Sequence, residues 1–244
     1  MSGEYLLTGV GVGPGDPELV TVKGVGVLRA AGAVVVPVME DAGMGRAEAT
    51  VLHYVDPAKV VQVVFALNER SDAARREAAW DAAGERVTGL LREHGTVAFA
   101  TIGDPNVYST FSYLAQTVRR LLADVRVETV PGVTAMQDLA ARSGAVLAEG
   151  TEPLTLVPVT AGSAALRQAL RGPGTVVAYK FGRHAAEVAA VLRETGRTEG
   201  AVWGSALGLP GESIRSAAEP TGGTLPYLST LIAPARRDTR GGKL

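Results

Sequence analysis

The feature that most constrains this chain is a regular alternation of short apolar runs with longer amphipathic segments. In the first half the apolar runs are YLLTGVGV (5–12), AVVVPV (33–38), VVQVVF (60–65), TVAFAT (96–101) and VRVETV (125–130). Most are apolar throughout rather than at every second residue, which is typical of strands covered on both faces. Because strands that alternate with helices form parallel sheets, this half is predicted to be an α/β unit.

Three helices are predicted between these strands. The first has Pro17 in its first turn, the second starts at a Ser71 or Asp72 cap and stops at Gly95, and the third covers residues 107–123. Proline in a first turn, a serine or aspartate cap and a glycine past the last turn are the usual boundaries of helices.

After Pro131 and Gly132 the same alternation begins again. The expected strands are 153–160, 174–180, 200–207 and 227–233, and the expected helices are 134–142, 163–171 and 184–195. We therefore predict two α/β domains, residues 1–129 and 130–244. A cleft between two such domains is a natural site for a small ligand.

Composition narrows the class of partner. The chain has 24 Lys and Arg against 25 Asp and Glu, so no overall basic field would attract nucleic acid. No secretory leader pattern and no apolar run of the roughly 18 to 20 residues that span a bilayer is seen, so a cytoplasmic protein without a membrane partner is expected. The absence of cysteine and the scattered positions of His53, His94 and His184 predict no metal site. A small-molecule partner is expected.

Three glycine- and proline-containing turns follow apolar strands: GVGPGDP (11–17), GDPNVY (103–108) and VPGVTA (130–135). Ligands of parallel sheets bind outside the carboxyl ends of the strands, where such turns lie. Glycine lets a ligand approach the backbone, and proline fixes the turn. One turn of this kind is explained by an ordinary helix cap, whereas three together favour a binding site.

The common nucleotide signatures are missing from the first turn. Pro14 or Asp16 occupies the position where a dinucleotide fingerprint needs its third glycine, and no G-x-x-x-x-G-K-[ST] phosphate loop is present. This disfavours a nicotinamide-dependent oxidoreductase. A noncatalytic sensor is also disfavoured, because the sequence offers no attached output domain for it. Acidic, proline-stiffened turns suit a ligand with positive charge, such as S-adenosylmethionine.

The segment GVGVGPGDPELVTVKGVGVLRAAGAVVVP (9–37) resembles the opening motif of the tetrapyrrole methylases, and the two later turns resemble the second and third motifs of that family. The resemblance covers essentially the whole chain and implies the two-domain α/β fold of these enzymes, which bind S-adenosylmethionine between their domains. TIGDPNVYSTFSYL, VETVPGVTAM and YKFGRH most resemble the members that methylate carbon 20 of precorrin-2 in cobalamin biosynthesis. The alternatives are other members that act on another precorrin, on uroporphyrinogen III or on a modified histidine of an elongation factor.

The resemblance also implies roles for individual residues. Gly103, Asp104, Val107 and Tyr108 would hold the methionine part of the cofactor, with Asp104 facing its ammonium group and standing as the candidate catalytic base. Pro14 would line both the cofactor and the tetrapyrrole. The other cofactor contacts implied are Thr134, Ala135, Tyr179, Lys180, Ala201, Ser229 and Thr230. The family often has an apolar residue near position 180, so Lys180 departs from its pattern.

The implied substrate carries many carboxylates, for which arginine is the best partner because it can bind them with two parallel hydrogen bonds. We expect Arg46 and Arg183 to bind the substrate, with Arg70, Arg75 and Lys180 as further candidates. Transfer to an electron-rich carbon needs no metal, and the product cofactor would be S-adenosylhomocysteine. The family is usually homodimeric. Precorrin-2 and its cobalt form remain equal alternatives as substrate.

Overall fold

The computed structural model describes residues 5–39, 43–65, 73–219 and 224–237. The chain divides into two compact units, Met1–Thr134 and Ala135–Leu244. Residues 130–134, which the sequence assigns to the second domain, belong to the first unit, where Gly132 packs against Gly11 and Gly103. The α/β class with two sheets is confirmed.

The first unit contains one sheet with five parallel strands among the described residues. These are β1 (Tyr5–Gly11), β2 (Ala33–Val38), β3 (Val60–Val64), β4 (Thr96–Thr101) and β5 (Val125–Val130), in the order β3-β2-β4-β1-β5. All five predicted strands are confirmed, and two are shortened at one end. The carboxyl ends of β1, β4 and β5 lie side by side, because β1 pairs with both other strands.

Helices cover both faces of this sheet. They are α1 (Val22–Ala30), α2 (Arg46–Val51), α3 (Ala73–His94) and α4 (Phe111–Leu121). Alternate residues of the strands point to opposite faces, so Leu7 and Phe99 pack under α3 and α4, whereas Val10 and Ala98 pack under α1 and α2. Each fully buried side chain of this size contributes about 1.5 to 3 kcal/mol to folding, so the two cores together hold the sheet between its helices.

Two of the predicted helix starts are wrong. Pro17 opens only a short 3-10 helix, Pro17–Leu19, and α1 begins afresh at Thr21, whose hydroxyl accepts a hydrogen bond from Gly24 N at 3.0 Å. The third helix begins at Phe111 rather than at residue 107, because the preceding residues form a turn. The second predicted helix ends at His94, and Gly95 follows it with φ +73°, as predicted. The predicted cap of this helix, Ser71 or Asp72, lies outside the described residues.

The second unit has a mixed sheet in the order β6-β7-β10-β8-β9. Its strands are β6 (Leu154–Pro158), β7 (Thr175–Tyr179), β8 (Val202–Ser205), β9 (Ser213–Ser216) and β10 (Ser229–Ala233), and its helices are α5 (Ala135–Ser143), α6 (Ala164–Leu170) and α7 (Ala185–Glu194). Only β6 and β7 are parallel, because no helix separates β8, β9 and β10 along the chain. β9 was not among the predicted strands, since SIRS has too few apolar residues to be recognised as a strand.

Candidate functional site

The three turns predicted from the sequence come together at one edge of the first sheet. Gly103 N donates a hydrogen bond to Gly13 O at 2.7 Å, and both glycines have positive φ, +72° and +76°. Gly132 lies so close to them that a Cβ placed on it would overlap Gly103 O and stand 2.7 Å from Gly11 Cα. The turns therefore pack backbone against backbone, and only glycine fits between them.

Asp104 ties two of these turns together. Its side chain is buried, with 9% of the residue exposed. Oδ1 accepts a hydrogen bond from Asn106 N at 2.7 Å, and Oδ2 accepts one from Gly132 N at 3.0 Å. The carboxylate thus fixes the shape of its own turn and holds the third turn against it, rather than capping α4.

The polar residues that follow Asp104 build the start of α4. Val107 N donates to Asp104 O at 3.3 Å, which closes a turn, and Tyr108 then takes φ +51°. Ser109 Oγ accepts from Phe111 N at 3.1 Å and lies 3.0 Å from Thr101 Oγ1. Tyr108 is exposed, yet desolvation raises the pKa of its phenol. A left-handed non-glycine residue in a loop is typical of binding sites.

Gly103 is less tightly packed than Gly11 and Gly132. A Cβ built on Gly103 would meet only Thr134 Cα within 4 Å, at 4.0 Å. Pro14 and Thr134 are buried in the same turns. The predicted residues Pro14, Gly103, Asp104, Val107, Tyr108 and Thr134 all belong to these three turns of the first unit. Their contribution to cofactor binding stays a prediction.

In the second unit, four of the predicted residues lie at one edge of the mixed sheet. Thr230 pairs with Tyr179, and Lys180 N donates to Ser229 O at 3.1 Å. Tyr179 Oη accepts a hydrogen bond from Met136 N at 3.3 Å, so the first turn of α5, where Ala135 lies, also reaches this edge. Lys180 has φ +60°, a second left-handed non-glycine residue.

Ala201 is not part of this group. It precedes β8, whereas the register pairs Ser229 with Ser205 at the other end of that strand, so Ala201 lies about 13 Å away along the strand. The residue that the register brings to this edge is Ala206, which has φ +50°. Ala206 could not be identified from the sequence, because no sequence pattern marks an alanine that adopts a left-handed backbone conformation.

The side chains of Ser229 and Thr230 are also less available than predicted. Both are buried in β10, and Ser229 Oγ donates to Pro226 O at 2.6 Å. The Ser229 hydroxyl is therefore held within the unit, and the Thr230 side chain is buried.

The two predicted substrate arginines lie in different units. Arg46 is the first residue of α2 and is half-buried, and desolvation lowers the pKa of its guanidinium. Arg183 is exposed in a short 3-10 helix, Gly182–His184, after β7. Arg75 lies exposed in α3, Lys180 Nζ lies 6.0 Å from the ring centre of Tyr227, and Arg70 falls outside the described residues.

A carboxylate that the sequence analysis did not identify joins the loops after β6 and β7. Glu187 Oε1 accepts hydrogen bonds from Ser163 Oγ at 2.5 Å and from Ser163 N at 3.2 Å, and Oε2 lies 3.3 Å from His184 Nδ1. The hydrogen bonds from Ser163 and, to a smaller extent, the neighbouring His184 lower the pKa of Glu187. Glu187 thus fixes both loops next to the edge that carries Tyr179 and Lys180.

Glu187→Gln is expected to lower the melting temperature at pH 7. Because the pKa of Glu187 is lowered in the folded protein, its stabilisation is complete above the ordinary glutamate value of 4.5 and is lost as the pH falls through the lowered value. Melting curves from pH 7 to pH 3 should therefore show the gap to wild type closing, while Glu199→Gln, at an exposed loop position, follows wild type throughout. A gap of constant size over this range would contradict the assignment.

Within residues 5–39, 43–65, 73–219 and 224–237, no three His, Cys, Asp or Glu side chains are grouped as metal ligands. In the same part of the chain, no helix is long and apolar enough to cross a membrane.

Comparison with known proteins identifies the family to which the chain belongs. The sequence model of the "Tetrapyrrole (Corrin/Porphyrin) Methylases" matches residues 6–220. The chain belongs to this family, and the prediction of membership is confirmed.

Individual relatives are also similar. A precorrin-2 C(20)-methyltransferase from Sinorhizobium sp is 31% identical over 240 residues, covering 95% of this chain and 96% of the relative. A probable cobalt-precorrin-2 C(20)-methyltransferase from Methanocaldococcus jannaschii is 37% identical over 150 residues, which cover 62% of each chain. The crystal structure of a uroporphyrin-III C-methyl transferase from Thermus thermophilus, complexed with S-adenyl homocysteine, has a TM-score of 0.66, 24% identity and coverage of 93% and 96%. The last likeness concerns the fold.

Proposed function

We propose that the protein is an S-adenosylmethionine-dependent methyltransferase that methylates carbon 20 of precorrin-2, or of its cobalt form, in cobalamin biosynthesis. The observation that carries the proposal is the group of three glycine turns tied by Asp104, in which Gly103 is the least tightly packed glycine. The activities for which the Sinorhizobium and Methanocaldococcus relatives are named support the choice of reaction and of carbon.

Each unit contributes residues to the proposed cofactor binding. In the first unit, Gly103 and Val107 would present backbone groups to it, next to Pro14 and Thr134. In the second unit, the proposed cofactor residues are Tyr179, Lys180 and Ala206 at the strand ends, together with Ala135. When bound, S-adenosylmethionine supplies a methyl group on a positively charged sulfur, an electrophile that is already activated.

With the electrophile supplied, the chain has two tasks. It must orient the acceptor carbon and it must exclude water, and orientation alone can contribute several kcal/mol of the barrier lowering, on the order of 7 to 11 in well-aligned systems. The backbone packing of Gly11, Gly103 and Gly132 suits the first task, because N–H and C=O groups fixed in this way do not rearrange during reaction.

Asp104 serves in this proposal as a positioning residue. The sequence analysis makes it the candidate base, but both of its oxygens already accept backbone hydrogen bonds, from Asn106 and Gly132. Each oxygen keeps a second lone pair that can accept from a ligand ammonium, so the predicted contact with the cofactor is compatible with the tie between the turns.

Arg46→Ala is expected to raise KM for the tetrapyrrole roughly tenfold or more and to leave KM for S-adenosylmethionine within about twofold, since a charged hydrogen bond contributes about 1.5 to 3 kcal/mol. Arg46 is half-buried, and no side-chain partner of its guanidinium is seen among the described residues. Hydrogen bonds to a substrate carboxylate would compensate the guanidinium for the water that burial removes. Arg183→Ala is expected to act in the same direction, by less, because Arg183 is exposed.

Initial methylation rates at varied concentrations of each substrate separate these constants. Arg92→Ala, at an exposed position in the last turn of α3, is the matched control and should behave as wild type. Wild-type constants in the Arg46 and Arg183 variants would remove both side chains from the substrate site.

The proposed reaction is tested by anaerobic incubation with S-adenosylmethionine and either metal-free precorrin-2 or its cobalt form, in separate assays. We expect one of the two to be methylated with much the higher kcat/KM, and turnover to survive chelation by EDTA. Methylation of uroporphyrinogen III in preference to both would overturn the proposed substrate. A homodimer and a cytoplasmic location stay predictions, of which sedimentation tests the first.

A further inference from the structure

A cavity of about 550 Å³ opens in the second unit, away from the proposed cofactor edge. It is lined by Leu170, Arg171, Gly172, Pro173, Thr195, Arg197 and Arg236. Arg197 binds the carbonyls of Gly174, just before β7, and of Ala233, at the end of β10. These are the strand ends opposite to Tyr179 and Ser229, so the cavity is separate from the site proposed above.

The charge of Arg197 is buried without a carboxylate beside it in the described residues. Only 5% of the residue is exposed, and its guanidinium is held by backbone carbonyls alone. The acceptors are Leu170 O and Gly172 O for Nη1, each at 3.0 Å, and Gly174 O, Ala233 O and Pro234 O for Nη2, at 2.7, 3.2 and 2.9 Å. Carbonyl dipoles hold the group in place, but they do not cancel its charge.

Two more guanidinium groups reinforce this charge. Burial, and to a smaller extent the charge of Arg236, lower the pKa of Arg197. Arg236 Nη2 donates to Gly196 O at 2.7 Å, and Arg171 lies 4.0 Å from Glu194, a carboxylate that also pairs with Arg167 at 3.0 Å. None of the described residues that line the cavity is acidic. The lining therefore carries three positive charges with one shared carboxylate nearby.

We propose that this cavity binds a phosphate group, either free phosphate or the phosphate of a small molecule. A dianion matches three guanidinium charges better than a single carboxylate does, and arginine binds phosphate oxygens through pairs of N–H groups. Arg171 and Arg236 would make the direct contacts, since both are exposed, whereas the Nη groups of Arg197 are engaged. Leu170 and Pro173 offer an apolar wall to any organic part.

Titration of the full-length protein with inorganic phosphate tests this proposal, with calorimetry and melting curves as readouts. We expect saturable binding and a rise in melting temperature, compared with sodium chloride at the same ionic strength. The double variant Arg171→Ala, Arg236→Ala should bind phosphate roughly tenfold or more weakly. Arg193→Ala, at an exposed position of α7 outside the cavity, should stay within about twofold of wild type.

Both variants avoid Arg197, whose removal would cost its hydrogen bonds to five carbonyls and could prevent folding. A second titration with phenyl phosphate distinguishes the sources: tighter binding than inorganic phosphate assigns a phosphorylated small molecule, and equal binding assigns free phosphate. Absence of saturable binding above the chloride control, or undiminished affinity in the double variant, would overturn the proposal. The readouts do not depend on methyltransferase activity, so failure here is distinct from failure of the proposed function.

Discussion

Gly132→Ala is expected to lower the melting temperature by roughly 6 to 12 °C and the methylation rate about 100-fold. The new Cβ would overlap Gly103 O and lie 2.7 Å from Gly11 Cα, which are backbone atoms that no side-chain rotation can move away. Overpacking of this kind costs about 3 kcal/mol, and each kcal/mol corresponds to about 2 to 4 °C in a chain of this size. Since the turns are the proposed cofactor site, a displacement of about 1 Å there is enough for a rate loss of this order.

The matched control for Gly132→Ala is Gly89→Ala. Gly89 lies within α3, exposed, and a Cβ built there meets nothing within 4 Å. Because alanine is about 1 kcal/mol more favourable than glycine inside a helix, this variant should melt slightly higher and retain full activity. A Gly132→Ala protein that melts and turns over like wild type would contradict the backbone packing of the three turns.

Asp104→Ala is expected to destabilise the protein by about 3 kcal/mol and to abolish measurable binding of S-adenosylmethionine. Two backbone N–H groups, those of Asn106 and Gly132, lose their acceptor, and hydrogen bonds to a charged group contribute about 1.5 to 3 kcal/mol each. Asp104→Asn should not restore the wild-type protein, because one of its two side-chain positions becomes an N–H₂ group that faces a backbone donor.

Melting curves and calorimetric titration with S-adenosylmethionine check this prediction together. Asp124→Ala, at an exposed position just before β5, is the control and should match wild type in both measurements. Comparison of Asp104→Ala with Gly132→Ala distinguishes a positioning role of Asp104 from a direct contact with the cofactor. If both variants lose stability and affinity to the same extent, Asp104 acts by positioning the turns. Loss of affinity at an unchanged melting temperature would instead assign it a direct contact with the cofactor.

The first sheet and the three turns could be predicted from the sequence because their signals are local. VVVPV and VAFA are apolar throughout, and each turn is marked by glycine and proline at the end of such a run. The topology of parallel strands then places the turns that follow β1, β4 and β5 at one edge, so their proximity needed no knowledge of side-chain packing.

The second unit could be predicted less well, because its site depends on register. Whether Ala201 or Ala206 lies next to Ser229 is decided by the antiparallel pairing of β8 with β10, which leaves no local mark in the sequence. The same holds for Asp104, whose partner Gly132 is distant in the chain, and for the bonds of Glu187 to Ser163. Such contacts are set by tertiary packing and could not be read from composition or periodicity.

The position of the transferred methyl group shows whether the protein acts on carbon 20. The protein is incubated anaerobically with precorrin-2 or its cobalt form and S-adenosylmethionine labelled with ¹³C in the methyl group, and the product is examined by NMR. The account predicts one labelled methyl group, attached to carbon 20 of the macrocycle. A label on any other carbon, or no transfer to either macrocycle by protein that binds S-adenosylmethionine, would contradict it.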